Sequence, residues 1–199
     1  RQASSDIWNQ ALGQIAVKGN NEKEKVKFYS ALYNAHFLPR TFSDVDGSYP
    51  RFDGDGQIMK MDHGTYYCDF SQWDTYRAVH PLFSILTPSR NGDMAHSLVL
   101  KGQQGGWLPI FPSWNSYTAA MIGDHCIAMI GDAIVKDTPG FDYEEAYTLM
   151  RKNAFEANPD SGSYRDGKGR RAMESYLKYN YVPLEDQVTE AFHRREQVS

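Results

Sequence analysis

The sequence predicts a mainly α fold, a toroid of helical hairpins with long rim loops, on three observations. Apolar residues recur at helical spacing through most of the chain. Alternating, strand-like runs are nearly absent, and two long segments rich in Gly and Pro interrupt the helical pattern. Fully apolar helices that alternate with amphipathic ones suit stacked hairpins better than a four-helix bundle.

Taken in order, residues 6–17 place Ile7, Trp8, Ala11, Leu12 and Ile15 on one helical face, and residues 20–38 repeat this with Val26, Phe28, Tyr29, Leu32, Tyr33 and Phe37. Between 39 and 64, Pro39, Gly47, Pro50, Gly54, Gly56 and Gly64 alternate with aspartates, which excludes a long helix and predicts a functional loop holding a short hairpin. Residues 71–86 turn helical again through Trp73, Tyr76, Val79, Leu82, Phe83 and Leu86, with a kink expected at Pro81, and 93–100 adds a short helix. A second irregular segment, 102–116, leads into 117–135, where nearly every position is apolar or small, the pattern of a helix buried on all sides. Amphipathic helices follow at 143–157 and 170–179, and Leu184 opens a last one still running at Ser199. The count is about eight helices in a single domain. A helix without a stop signal and an opening Arg1-Gln-Ala-Ser-Ser without initiator Met lead us to expect further sequence at both ends.

Composition bounds the function. With 21 Lys and Arg against 25 Asp and Glu, the net charge of -4 excludes nucleic-acid binding by bulk charge. No apolar run reaches the roughly 18 residues of a membrane span. Two cysteines, Cys68 and Cys126, allow at most one disulfide and no four-ligand zinc site of their own, and the sequence leaves open whether they meet.

Asp44, Asp46, Asp53 and Asp55 invite a calcium reading, but Tyr49 and Gly64 stand where an EF-hand needs Gly and Glu, so aspartates bonding their own turns are the better explanation. The six histidines form no His-Glu-x-x-His and no local cluster, which argues against a zinc hydrolase. Nucleophile elbow, Walker loop and dinucleotide fingerprint are absent as well. What remains is aromatic residues paired with acids and amides: Trp73, Asp74 and Arg77 in one loop, and Trp107, Trp114, Asn115, Tyr117, Asp124 and His125 in another. Sugars suit such a site, because Trp stacks on their C–H faces while Asp, Asn and Arg bond their hydroxyls. The competing explanation makes the tryptophans core and has Asp74 cap a helix or pair with Arg77.

Four ordered motifs shift that balance: Phe42-Ser-Asp-Val-Asp-Gly-Ser-Tyr49, Trp73-Asp-Thr-Tyr-Arg-Ala-Val-His-Pro81, Gly105-Gly-Trp-Leu-Pro109 and Asn115-Ser-Tyr-Thr-Ala-Ala-Met-Ile-Gly-Asp-His125. Together they resemble the catalytic domain of glycoside hydrolase family 92, the calcium-dependent exo-α-mannosidases, from about Ile7 onward. The resemblance implies that residues 1–199 are the N-terminal part of an (α/α)6 toroid, truncated at both ends relative to the family. It implies removal of terminal α-linked mannose, with α-1,2 the expected linkage, from a mannose-containing glycan in a secreted or extracytoplasmic setting. Inversion by this family sets a glutamic acid and a basic carboxylate roughly 6.5 to 9.5 Å apart.

By the same resemblance Trp73, Asp74 and Arg77 contact the terminal mannose, and Trp114, Asn115, Tyr117, Asp124 and His125 are candidates for the same rim. Asp124 and His125 have a competing reading as a satisfied pair inside the helix. No metal ligand is assigned within the segment. The base and most calcium ligands are expected beyond Ser199, in the remainder of the polypeptide. The family acid falls on Pro112, which has no proton to give. That departure opens two alternatives: a mannosyl-phosphodiester hydrolase, whose phosphate leaves without an acid, and a non-catalytic glycan-binding protein. An incomplete toroid is also expected to expose apolar surface and to associate when alone.

Overall fold

The computed structural model describes residues 1–121, 123–159, 167–170 and 172–184. Its helices are α1 (Gln2–Leu12), α2 (Glu22–Ala35), α3 (Gln72–Thr75), α4 (Val79–Leu86), α5 (Pro88–Gly105), α6 (His125–Val135), α7 (Tyr143–Phe155) and α8 (Met173–Tyr179). Four short strands, β1 (Arg40–Thr41), β2 (Ser48–Pro50), β3 (Ile58–Lys60) and β4 (Tyr67–Cys68), lie in the loop between α2 and α3. The mainly α class is as the sequence predicts. The last helix expected from Leu184 lies, beyond that first residue, outside the described residues, as does most of the 158–169 loop.

Local chemistry sets the boundaries. Asn21 caps α2 by accepting from the Lys23 and Glu24 amides, and Glu22 and Glu24 favour that end of the helix dipole. Pro88 begins α5, where its missing N–H costs nothing, and Gly106 ends it at φ 87° with its N–H on the Gly102 carbonyl. The helix reaches well past the expected 93–100. Its Gly92, Gly102 and Gly105 blur the apolar period, yet they are the positions where the Pro139 backbone, Leu149 with Leu108, and the Tyr117 ring press against it.

Two expectations are corrected. Residues 117–135 do not form one buried helix. The described residues of 117–124 are irregular, with Gly123 at φ 88°, and α6 starts only at His125. That helix is amphipathic, with Cys126, Met129, Ile130 and Ala133 inward and Val135 outward. The 71–86 segment breaks at residues 76–78 rather than at Pro81, which sits in the first turn of α4 where proline is tolerated.

α5 is the central element and packs against α4, α6 and α7. Phe70, Phe83, Met94, Leu98, Leu108, Met129 and Ile130 form the main core around it. Each such side chain contributes on the order of 1.5–3 kcal/mol by leaving water. α1 buries no residue and leans on α2 through Trp8 and Tyr33, whose rings stand 4.5 Å apart.

The 39–70 loop folds onto the same core as two small antiparallel pairs, β1 with β4 (Arg40 opposite Cys68) and β2 with β3 (Ser48 opposite Lys60). The expected hairpin is the second pair. Tyr49 and Tyr66 stack at 3.9 Å, and Gln104 of α5 donates to the Tyr49 hydroxyl at 2.8 Å. Beneath them Lys101 is wholly buried, donates to the Tyr67 carbonyl at 2.6 Å, and holds its ammonium 3.6 Å from the Tyr66 ring centre. Burial brings its pKa down to about 7, a cost that the cation–π contact and the carbonyl partly offset.

Candidate functional site

α3 is a single turn, anchored by buried Gln72 and Thr75, so the intervening Trp73 and Asp74 face outward. Trp73 is 37% exposed. After it the chain presents Tyr76 and Arg77, and the Arg77 guanidinium lies over both rings, 5.5 Å from that of Trp73 and 5.1 Å from that of Tyr76. Arg77 Nε donates to the Tyr76 hydroxyl at 2.7 Å. Asp74 therefore pairs with neither Arg77 nor a helix N-terminus; its carboxylate accepts from the Ser71 hydroxyl.

From the other side the first residue of α6 closes the group. His125 stacks on Tyr76 at 4.5 Å and meets the edge of Trp73 at 5.0 Å. Gly123 is needed here, because a side chain at that position would strike the imidazole. Burial and the nearby Arg77 charge lower the His125 pKa, so the ring is neutral at pH 7 and can both accept and donate. Trp73, Tyr76, Arg77 and His125 thus make an aromatic and cationic cluster, with Asp74 on the same short turn. Tyr76 was missed as a site residue, although it lies inside the Trp73–Pro81 motif.

Asp124 precedes His125 at the N-cap of α6 without capping it. Neither carboxylate oxygen has a hydrogen-bond partner among the described residues. Burial raises its pKa to about 6, against the lowering effect of Arg170 and Asn153. The expected satisfied pair inside a helix is not what the structure shows: Asp124 lies before the helix, and His125 turns toward Trp73 and Tyr76.

The second loop is used differently. The Tyr117 hydroxyl donates to the Trp107 carbonyl and accepts from the Trp107 amide at 3.2 Å, while its ring packs on Phe52 at 4.7 Å. Asn115 is a buried tie: Tyr66 donates to its Oδ1 at 2.9 Å, its Nδ2 donates to Pro50 O at 2.6 Å and Arg51 O at 3.2 Å, and its amide donates to Cys68 Sγ at 3.3 Å. Both side chains spend their polar atoms within the fold. Trp114, 80% exposed, overhangs an open cleft lined also by Arg51, Asp53 and Ser116. Its amide is fixed by Asp69, which is in turn ion-paired with Arg40. Pro112 is buried, and its carbonyl accepts from Phe70 at 3.1 Å just ahead of α3.

The aspartates of the first loop do what turn chemistry predicts. Asp46 accepts from Ser48 and Asp55 from the Gln57 amide, while Asp53 pairs with Lys168 at 2.5 Å. The described residues do not fit calcium at the aromatic surface, because Asp74 is the one carboxylate there and calcium takes six to eight oxygens. Cys68 and Cys126 are both buried and unpaired. No helix of the described residues is long and apolar enough to cross a membrane.

An aromatic surface flanked by a carboxylate and a guanidinium, built where α3 meets the start of α6, is the kind of surface that carbohydrate-binding proteins of mainly α architecture present. A model of the glycosyl hydrolase family 92 catalytic domain matches residues 1–199, and the chain belongs to that family. Among solved structures it is similar to the family GH92 α-mannosidase BT3965 from Bacteroides thetaiotaomicron in complex with mannoimidazole, with 33% identity and a TM-score of 0.80 over 92% of this chain and 23% of that one. It is also similar to the GH92 inverting mannosidase BT2199 from the same organism, with 28% identity and a TM-score of 0.81 over 92% of this chain and 24% of the other. These neighbours support the (α/α)6-type architecture. The chain spans about a quarter of the length of the structures it matches. No curated protein matches it.

Proposed function

We propose that this chain forms the sugar-binding part of an exo-α-mannosidase that removes terminal α-linked mannose from glycans with inversion. The observation that carries the reading is the convergence of Trp73, Tyr76, Arg77 and His125 beside Asp74, within a family whose solved members are named mannosidases. In this reading Trp73 stacks on the apolar face of the ring, Asp74 and Arg77 bond neighbouring hydroxyls, and neutral His125 orients the sugar edge. Residues outside this chain supply the base and the calcium ion, whose chemistry is to hold the sugar diol. The preferred linkage is α-1,2, the chain is the N-terminal part of the catalytic toroid, and the enzyme works outside the cytoplasm.

A second reading rests on Pro112. By the family resemblance it falls at the position of the acid; it is buried, and its carbonyl accepts from the Phe70 amide. A mannosyl-phosphodiester needs no proton on its leaving phosphate, so the absent acid suits that substrate. The test is mannose release by the full-length chain from α-1,2-mannobiose and from mannose-α-1-phospho-6-mannose, each with and without a calcium chelator. Mannobiose hydrolysis lost on chelation supports the first reading, and hydrolysis of the phosphodiester alone supports the second. Tight mannose binding with neither hydrolysis leaves a glycan-binding protein and sinks both.

A further inference from the structure

Away from the aromatic surface the fold brings together a group that its sequence positions conceal. Asp62 and His63 lie in the turn after β3, and His96 lies in the middle of α5. Their ligand atoms, one from each residue, all lie within 4.8 Å of one another. The His63 and His96 rings are parallel within 17° at 4.7 Å.

Hydrogen-bond logic fixes what these atoms can offer. His63 Nε2 faces the Gly140 carbonyl at 3.0 Å, and a carbonyl only accepts, so Nε2 carries the hydrogen. Neutral His63 then has a bare lone pair on Nδ1, and that atom faces the Asp62 carboxylate at 2.9 Å. At that distance either His63 Nδ1 carries a proton and donates to Asp62, or the two acceptors share a metal ion. His96 Nδ1 is buried with no hydrogen-bond partner among the described residues, which adds a third unsatisfied position. The Gly140 contact is the outer-shell bond that usually fixes the tautomer of a metal-bound histidine.

The surroundings favour positive charge. Asp93, one turn before His96 on α5, accepts from the Thr65 amide at 3.1 Å and presses against Gly64, where φ is 67° and any side chain would collide with the carboxylate. It brings a second negative charge close to both imidazoles without joining the inner group.

We propose that Asp62, His63 and His96 bind a divalent cation of the zinc class, with water completing the coordination. Two imidazoles and one carboxylate match zinc, nickel or copper, whereas calcium requires a shell of oxygens. This site is separate from any calcium serving the sugar reaction and does not depend on the mannosidase reading. Asp62 and His63 are exposed, at 76% and 51% of their side chains, so small rotations close the group to bonding distance without disturbing the core. The bound ion ties the 62–64 turn to α5 and, through His63, to the 138–140 loop.

The test uses the full-length chain, freed of metal, equilibrated with Zn2+ alone and passed through gel filtration before elemental analysis and thermal melting. His63→Ala and Asp62→Ala alter exposed side chains and are expected to fold; circular dichroism checks this, and His96→Gln serves as a third variant. The expected result is that the parent retains a stoichiometric zinc that His63→Ala lacks, and that zinc raises the melting temperature of the parent but not of His63→Ala. Equal zinc retention by parent and His63→Ala overturns the proposal. So does a parent that retains no zinc, since a proton then suffices to bridge Asp62 and His63.

Discussion

The two loops that meet around α3 contain the same kinds of residue and use them in opposite ways. In the Trp73–Arg77 turn, the aromatic rings and the guanidinium contact one another and His125, and Trp73 stays 37% exposed. In the 107–118 loop, Trp107 is 8% exposed, and Asn115 and Tyr117 spend their polar atoms on the Tyr66 hydroxyl, the Pro50 carbonyl and the Trp107 carbonyl. The lesson is that Trp, Tyr and Asn signal a sugar site only where the fold leaves their polar atoms and faces unspent.

Breaking the closed loop gives the largest expected effect. Asn115→Ala removes an amide bonded to Tyr66, Pro50 and Arg51 and puts a Cβ-bearing residue with no compensating side-chain bond at φ 58°. A loss of about 3–5 kcal/mol is expected. Urea unfolding of the full-length protein checks it, and an unchanged midpoint would contradict the framework role.

Breaking the open surface should move catalysis rather than stability. Arg77→Ala and Trp73→Ala are each expected to lower kcat/KM for the mannoside by about 2 kcal/mol, roughly thirtyfold, with a melting temperature close to the parent's. If either variant lost stability and kept kcat/KM, the contrast between the loops would be reversed.

Lys101, beneath the 39–70 loop, sharpens the comparison through pH. Its folded pKa near 7 lies below its ordinary 10.5, so the unfolded chain binds the extra proton between those values and stability rises with pH there. The slope approaches about 1.4 kcal/mol per pH unit above pH 7, until the thiols of the unfolded chain, with an ordinary pKa of 9.0, begin to titrate and oppose it. Lys101→Met should flatten that rise relative to the parent in denaturant midpoints measured across the window. An identical slope in both proteins would show Lys101 to be charged in the fold.

The smallest effect belongs to Trp114. With its ring 80% exposed, Trp114→Ala should change stability by no more than about 0.5 kcal/mol. Any larger change in KM for a longer glycan, read against a monosaccharide aryl glycoside, would mark the cleft by Arg51 and Asp53 as a place where the sugar chain runs.

The class of the fold was legible because amphipathic periods survive in α2, α4 and α7, and the Trp73-Asp74-Arg77 group was legible because it lies within one short motif. Other features needed three dimensions. α5 was underestimated because its buried face interleaves Met94, Leu98 and Val99 with Asn91, Ser97, Lys101 and glycines, and the polar and glycine positions obscure the apolar period. The run 117–135 was overestimated because apolar content does not reveal that Tyr117 is fastened to Trp107 and that Gly123 turns the chain. Asn115 looked like a sugar contact because its residue type says nothing about which backbone carbonyls will meet it. His63 and His96 were read as unclustered because only the packing of the 62–64 turn on α5 brings them together.

The two cysteines acquire a use from their setting. Burial lifts the pKa of both thiols, and neither has a sulfur partner, so an alkylating reagent meets no thiolate from Cys68 or Cys126 while the domain is closed. Their rate of modification is therefore a built-in clock for opening of this domain, read by mass without any label or change of sequence.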